Sequence, residues 1–171
     1  MISKHFEDIK IKFVEDSDSH IKIVAGPFDR GYGVTVGNAL RRTLMTSVPG
    51  AAITSIKIEG VQHEFSSIDG VLEDVSDIIL NMKEVIFKTI NDGPEQIHLS
   101  LKGPAEFKAK DIGKMLNDFE VLNPNHLIAT LNDKAILDID IRVSRGKGYS
   151  AASKNKRSDD VIGTIPIDSI F

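Results

Sequence analysis

The chain has 171 residues, 41% of them hydrophobic and 27% charged, and a formal net charge of −4. That length can bury a real core, as one large domain or two small ones, while the acidic balance argues against a general nucleic-acid binder, whose phosphate contacts need a basic face. The absence of cysteine removes disulfides and thiolate metal sites and fits an intracellular protein. No apolar run approaches the roughly 20 residues of a membrane span, and the N-terminus lacks the apolar core of a signal peptide, so no membrane association and a cytoplasmic location are expected.

Ile9, Ile11 and Phe13 alternate with Lys10 and Lys12, and Ile21, Ile23 and Ala25 alternate with Lys22 and Val24. Period-2 alternation of this kind predicts two half-buried strands, joined through the polar run 15–20. Gly31, Gly33 and Gly37 then lead into a helix expected from Val36 to Ser47, with Thr35 as its N-cap and Pro49-Gly50 closing it. At about 100° per residue, Val36, Ala39, Leu40, Thr43, Leu44, Ser47 and Val48 share one broad face, which is expected to pack on a sheet. Asn38, Arg41, Arg42 and Met45 fall on the other. Met and Arg are enriched at the centres of protein interfaces, because a thioether adapts to an uneven surface and a guanidinium stays hydrogen-bonded when desolvated. The residues alone leave two readings open for this face, a partner surface or an ordinary solvated one.

The same glycines follow a strand and open a helix, and a further strand, Ile53 to Ile58, ends at Glu59. This is the outline of a dinucleotide-binding fingerprint. However, Pro27-Phe28-Asp29-Arg30 separates the strand from the first glycine, which loses the tight turn, and no further strand-helix alternation follows. Nucleotide binding through Gly31, Gly33 and Gly37 stands as an alternative function.

Ser67 to Val85 reads as a second amphipathic helix. Val71, Leu72, Val75, Ile78, Ile79 and Met82 form its stripe, with Glu73, Asp74 and Asp77 toward the positive end of the helix dipole and Lys83 toward the negative end. Leu80 lies opposite the stripe. Beyond Glu84 the chain is strand-rich: Ile97, Leu99 and Leu101 alternate after the turn signal at 91–94, and His126 to Leu131 is a further strand. The clearest strand is Ala135 to Val143, with Leu137, Ile139, Ile141 and Val143 facing in and Asp138, Asp140 and Arg142 facing out. The sum is an α+β fold of mainly antiparallel sheets with two principal helices.

The segment from Arg145 to Asp160 carries Arg145, Lys147, Lys154, Lys156 and Arg157 among glycines and serines. It reads as a solvated loop or as a basic contact to a protein partner or nucleic acid. A small nucleic-acid-binding module using the Arg145–Arg157 loop is thus a second alternative, although Tyr149 is its only aromatic platform. Asp138 and Asp140 share a strand face without a third ligand, the five histidines show no metal-ligand spacing, and no serine sits in a recognisable nucleophile context. No catalytic residue, metal or cofactor is expected.

Residues 26–87, from GPFDRGYG through the NALRR helix and the strand ending in GVQHEFS to the helix closing in LNMK, resemble the N-terminal domain of the bacterial RNA polymerase alpha subunit. RVSRGKGYSAAS at 142–153 and IGTIPIDSIF at 162–171 follow in order. The resemblance implies a non-catalytic scaffold subunit of DNA-directed RNA polymerase, a nucleotidyltransferase: a homodimer on which the beta and beta-prime subunits assemble, meeting DNA only through the assembled enzyme. A polymerase active site would need clustered carboxylates to hold two metal ions, and this chain has no such motif.

The resemblance further implies a dimerisation domain, residues 1–49 plus 167–171, split by an inserted strand-rich domain, residues 50–166. It assigns Val36, Leu40 and Leu44 to the dimer interface, and Asn38, Arg41, Arg42, Met45, His63, Asp77 and Lys83 to contacts with the large subunits. Family chains continue well past the segment matching Phe171, with more strands, a long helix, a linker and a DNA-binding domain. A truncated or unusually short chain is therefore expected, with part of the face of Val36, Leu40 and Leu44 uncovered and a weak or association-prone dimer as the result.

Overall fold

A computed structural model describes residues 9–17, 20–91 and 93–171; the parts of the expected features that fall on residues 1–8, 18–19 and 92 lie outside them. The chain divides between Met45 and Thr46 into two compact units.

In the first unit, β1 (Lys10–Asp16) and β2 (Ile21–Gly26) form an antiparallel hairpin, with Ile11 opposite Ala25 and Phe13 opposite Ile23. The register shifts between Phe13 and Glu15, so Val14 is the extra residue of a bulge. Both strands were expected from their alternation, but neither is half-buried: every residue from Lys10 to Ala25 that the structure describes is exposed. A two-stranded hairpin has too little apolar surface to make a core of its own.

Helix α1 (Tyr32–Ser47) begins four residues before the expected Val36, so Thr35 is not its N-cap. Gly31, at φ +86°, turns the chain, and the Tyr32 amide donates to the Asp29 carbonyl at 2.9 Å, which starts the helix early. Gly33 and Gly37 are helical rather than parts of a loop. Each costs about 1 kcal/mol against alanine, which does not stop a helix this long.

In the second unit, a six-stranded antiparallel sheet has the order β5 (Glu95–Lys102), β9 (Ile136–Lys147), β3 (Pro49–Ile58), β4 (Phe87–Thr89), β7 (Phe119–Val121), with β11 (Ile165–Pro166) also paired to β3. Its register lines up apolar rows across the strands. Ile97, Ile141, Ile56 and Ile165 form one, and Leu99, Ile139 and Ile58 the next; all seven are buried. Over these rows pack α2 (Val75–Lys83), the short α3 (Ala109–Gly113) and the ribbon of β6 (Ala105–Lys108) with β8 (Leu127–Leu131), through Val75, Ile78, Met82, Ile112, Phe107 and Ile128. The fold is α+β with antiparallel sheets.

Helix α2 is half the expected length. Gly70, at φ +81°, breaks the run, and a Cβ there would sit 2.6 Å from Asn132 Oδ1. Val71 then forms a bridge with Leu131, and the Leu72 amide donates to the Thr130 carbonyl at 3.0 Å. Residues 67–74 thus follow β8 instead of coiling, and Leu72, expected on the apolar stripe, is exposed. Glu73 accepts from the Thr130 amide at 2.6 Å, and Asp74 caps the helix by accepting from the Asp77 amide at 2.8 Å.

The outward row of β9 also departs from expectation. Arg142 is not a solvated side chain; it is 12% exposed and paired with Asp160, which is 7% exposed. The 145–160 segment is correspondingly structured: β9 runs on to Lys147, then come β10 (Tyr149–Ser150), α4 (Ala152–Asn155) and a turn in which the Arg157 amide donates to Asp160 Oδ2 at 2.7 Å. β10 pairs with β12 (Ser169–Ile170). At 167–171, the Ile167 amide donates to the Thr54 carbonyl and Ser169 Oγ to the Ile53 carbonyl at 2.7 Å, so this segment is tied to β3.

Candidate functional site

The candidate surface in the first unit is α1. Its sixteen residues include none that is buried. On the face expected to pack on a sheet, Val36 is half-buried, while Leu40 is 60% and Leu44 62% exposed. On the other face Asn38, Arg41 and Arg42 are exposed, and Met45 is 64% exposed. The expectation of a face covered by a sheet therefore does not hold for Leu40 and Leu44. Both faces of the helix are open in this chain, and an open face with Leu at i and i+4 is an adhesive one.

The same helix takes Gly37 out of the glycine loop on which the nucleotide alternative relies. A phosphate cradle needs free amides converging from a glycine loop, but Gly37, at the sixth position of α1, has its N–H inside the helical ladder.

In the second unit, the structure brings His63 and Asp77 to one end of α2. His63 Nδ1 lies 3.1 Å from Ser66 Oγ; the Ser66 carbonyl accepts from the Val75 amide at 3.0 Å, and Ser76 Oγ donates to the Glu64 carbonyl at 2.8 Å. These bonds clamp the turn at 63–66 onto the first turn of the helix. Asp77 is exposed within that turn, with its amide taken by the Asp74 cap. Lys83 is six residues on, about 9 Å along the axis, and its Nζ donates to Asp168 Oδ2 at 2.8 Å. Lys83 is thus held by a partner rather than splayed into solvent. Sequence reasoning missed this pairing, because Asp168 is 85 residues away and nothing local announces it.

Phe65, beside His63, and Leu72 are also exposed, and together with Leu80 they put three large apolar side chains on the solvent side of this region. Leu80 is legible in the sequence from its position opposite the stripe. Phe65 carries a weak signal in the sequence, an aromatic in a polar turn, and Leu72 carried a misleading one.

Asp138 and Asp140 do not form a metal site among the described residues. Asp140 Oδ1 instead lies 2.9 Å from His98 Nδ1 across the β5–β9 pair. No helix among the described residues is long and apolar enough to cross a membrane.

These surfaces define a class of protein: an α+β module built on antiparallel sheets, whose exposed apolar and charged side chains sit on helices and turns that other molecules can reach. The chain belongs to the RNA polymerase Rpb3/RpoA insert domain family, whose description matches residues 56–171. It is 54% identical over 157 residues to the DNA-directed RNA polymerase subunit alpha of Salinibacter ruber, covering 92% of this chain and 48% of that one. It is 53% identical over 165 residues to the subunit of the same name from Chloroherpeton thalassium, covering 96% and 50%, and 51% identical over 167 residues to that from Desulfitobacterium hafniense, covering 96% and 53%. The chain spans about half the length of the curated relatives it matches. The family agrees with the resemblance carried by the NALRR, GVQHEFS and LNMK motifs.

Proposed function

We propose that this chain is the assembly-directing part of an alpha subunit of bacterial, cytoplasmic DNA-directed RNA polymerase, a non-catalytic scaffold that pairs with a second copy and recruits the beta and beta-prime subunits. The observation that carries the reading is α1, a sixteen-residue helix with no buried residue in a chain whose relatives are alpha subunits. Val36, Leu40 and Leu44 meet a second copy. Asn38, Arg41, Arg42 and Met45, with His63, Asp77 and Lys83, meet the large subunits. In domain terms, residues 1–49 and 167–171 serve pairing, and residues 50–166 form the insert.

The physics of such a scaffold is burial followed by orientation. Burying one leucine fully contributes about 1.5–3 kcal/mol, and a stable interface removes roughly 1,600 Å² from water. Leu40 and Leu44 therefore begin a pairing surface, which the exposed Ile11, Phe13, Ile21 and Ile23 of the hairpin enlarge. Arg42 and Met45 then offer a large subunit one directional charged group and one adaptable apolar one. Nothing in this role needs a proton or electron to move.

Size exclusion with light scattering tests it, on the chain alone and mixed with the beta subunit, beside Arg42→Ala and Met45→Ala. The expected result is a complex containing beta that each substitution weakens while circular dichroism stays unchanged. A folded wild-type chain that neither self-associates nor takes up beta overturns the reading.

A further inference from the structure

The second unit holds a cleft of about 330 Å³ whose charged side chains are all basic: Arg145, Lys147, Lys154 and Arg157. This concentration of positive charge is at odds with a chain of net charge −4. Among the described residues, neither Lys147 nor Lys154 is in an ion pair with the chain's own carboxylates.

The cleft is built rather than incidental. Its floor is Phe171, whose amide donates to the Gly148 carbonyl at 2.8 Å and whose ring lies across Gly146, where a Cβ would meet ring carbons at 2.5 Å. One wall is α4, pinned by Asn155: its side chain accepts from Ser150 Oγ at 2.8 Å and donates to the Ile167 carbonyl at 2.6 Å. The Arg157 wall is pinned through Asp160 to the buried Arg142. The cationic side chains therefore project from fixed backbone, which lowers the ordering cost of binding.

Beside the charges lies an apolar anchor point. Tyr149, which also lines the cleft, is opposite Ile170 in the β10–β12 pair, so the two side chains share one face, and they are 64% and 74% exposed. An exposed Tyr next to Arg side chains is the composition of a protein-binding hot spot. Nucleic acid fits less well. A single exposed aromatic gives no series of stacking platforms.

We propose that this cleft docks an acidic segment of a partner protein, its carboxylates taken by Arg145, Lys147, Lys154 and Arg157 and one of its aliphatic side chains resting on Tyr149 and Ile170. Ile170 and Phe171 lie in the 167–171 segment assigned to pairing, but the cationic residues Arg145, Lys147, Lys154 and Arg157 lie outside it and are none of the assembly-contact residues named above, so substitutions at Lys147 and Lys154 test the cleft separately.

Fluorescence anisotropy on the 171-residue chain decides it, with three labelled probes: a peptide of alternating Glu and Leu, its Gln and Leu counterpart, and an oligothymidylate. The acidic peptide is expected to bind best. Lys147→Glu with Lys154→Glu weakens it by roughly tenfold or more, the corresponding double change to Gln by less, and Tyr149→Ala also weakens it. Lys110→Glu, on a remote exposed lysine, leaves binding unchanged. Lys147 and Lys154 are exposed, so both doubly substituted chains keep their circular dichroism spectra. The proposal fails if the acidic peptide does not bind, if it binds the Lys147→Glu/Lys154→Glu chain as well as the wild type, if the Gln peptide matches it, or if oligothymidylate binds more tightly.

Discussion

The two units of this chain carry similar hydrophobic patterns and put them to opposite use. In Thr46–Phe171, alternating Ile and Leu residues meet across β5, β9 and β3 and disappear from solvent; in Met1–Met45, the equally regular alternation of β1 and β2 and the stripe of α1 stay exposed. Periodicity states which side chains share a face. It does not state what, if anything, covers that face. The difference lies in the number of layers: the second unit has a sheet with helices and a ribbon over it, and among the described residues the first has one hairpin and one helix, which is less than a core requires.

The largest test of this contrast is Ile141→Ala. Ile141 is fully buried between Ile97 and Ile56, and removing its branched side chain there is expected to cost about 2–5 kcal/mol in urea unfolding. A loss below about 1 kcal/mol would mean that the rows are not the core they look like.

Next in size is Asp160→Asn, which leaves the buried Arg142 guanidinium without its counter-charge and is expected to cost about 3 kcal/mol near neutral pH. Burial pushes the Asp160 carboxyl up, but the Arg157 amide and the Arg142 guanidinium outweigh it and hold the pKa below its ordinary 3.8. A depressed folded-state pKa stabilises the fold fully above the ordinary value, and the stability is lost as pH falls through the folded value. The gap between wild type and variant should therefore close only below pH 3.8. A gap that is constant down to acid unfolding would show that the charge of Asp160 is not what matters.

What the sequence made legible follows the same line. The strands of the second unit were readable from Ile97, Leu99, Leu101 and from Leu137 to Val143, because a sheet with one buried face writes its period directly into the chain. The exposure of Asn38, Arg41, Arg42 and Met45 on α1 was readable from the helical period, whereas that of Leu40 and Leu44 was not, and the helix starts earlier than Gly33 and Gly37 suggested. Helix α2 was overextended because residues 67–74 keep a helical pattern while their backbone hydrogen bonds go to β8, a tertiary preference that no local window contains. Arg142, Asp160 and Asp168 were misread or missed for a related reason: an ion pair between residues 18 or 85 positions apart leaves no periodic trace. The basic run at 145–157 was visible as charge, but not as the wall of a cleft, since that depends on Phe171 and Asn155 holding it.

The smallest expected stability effect makes the sharpest comparison. Leu44→Ser removes an apolar side chain as large as that of Ile141, yet Leu44 is 62% exposed, and its loss should change the stability of the dilute chain by no more than about 0.5 kcal/mol. Self-association, followed by light scattering as the concentration rises, should decline in the same variant, because the area that Leu44 can bury exists only between molecules. If Leu44→Ser instead destabilises the dilute chain as strongly as Ile141→Ala, then α1 is already covered within one copy. The contrast between an inward-facing unit and an outward-facing one would then be wrong at its centre. An unchanged stability with reduced association would place the missing layer of the first unit in another molecule.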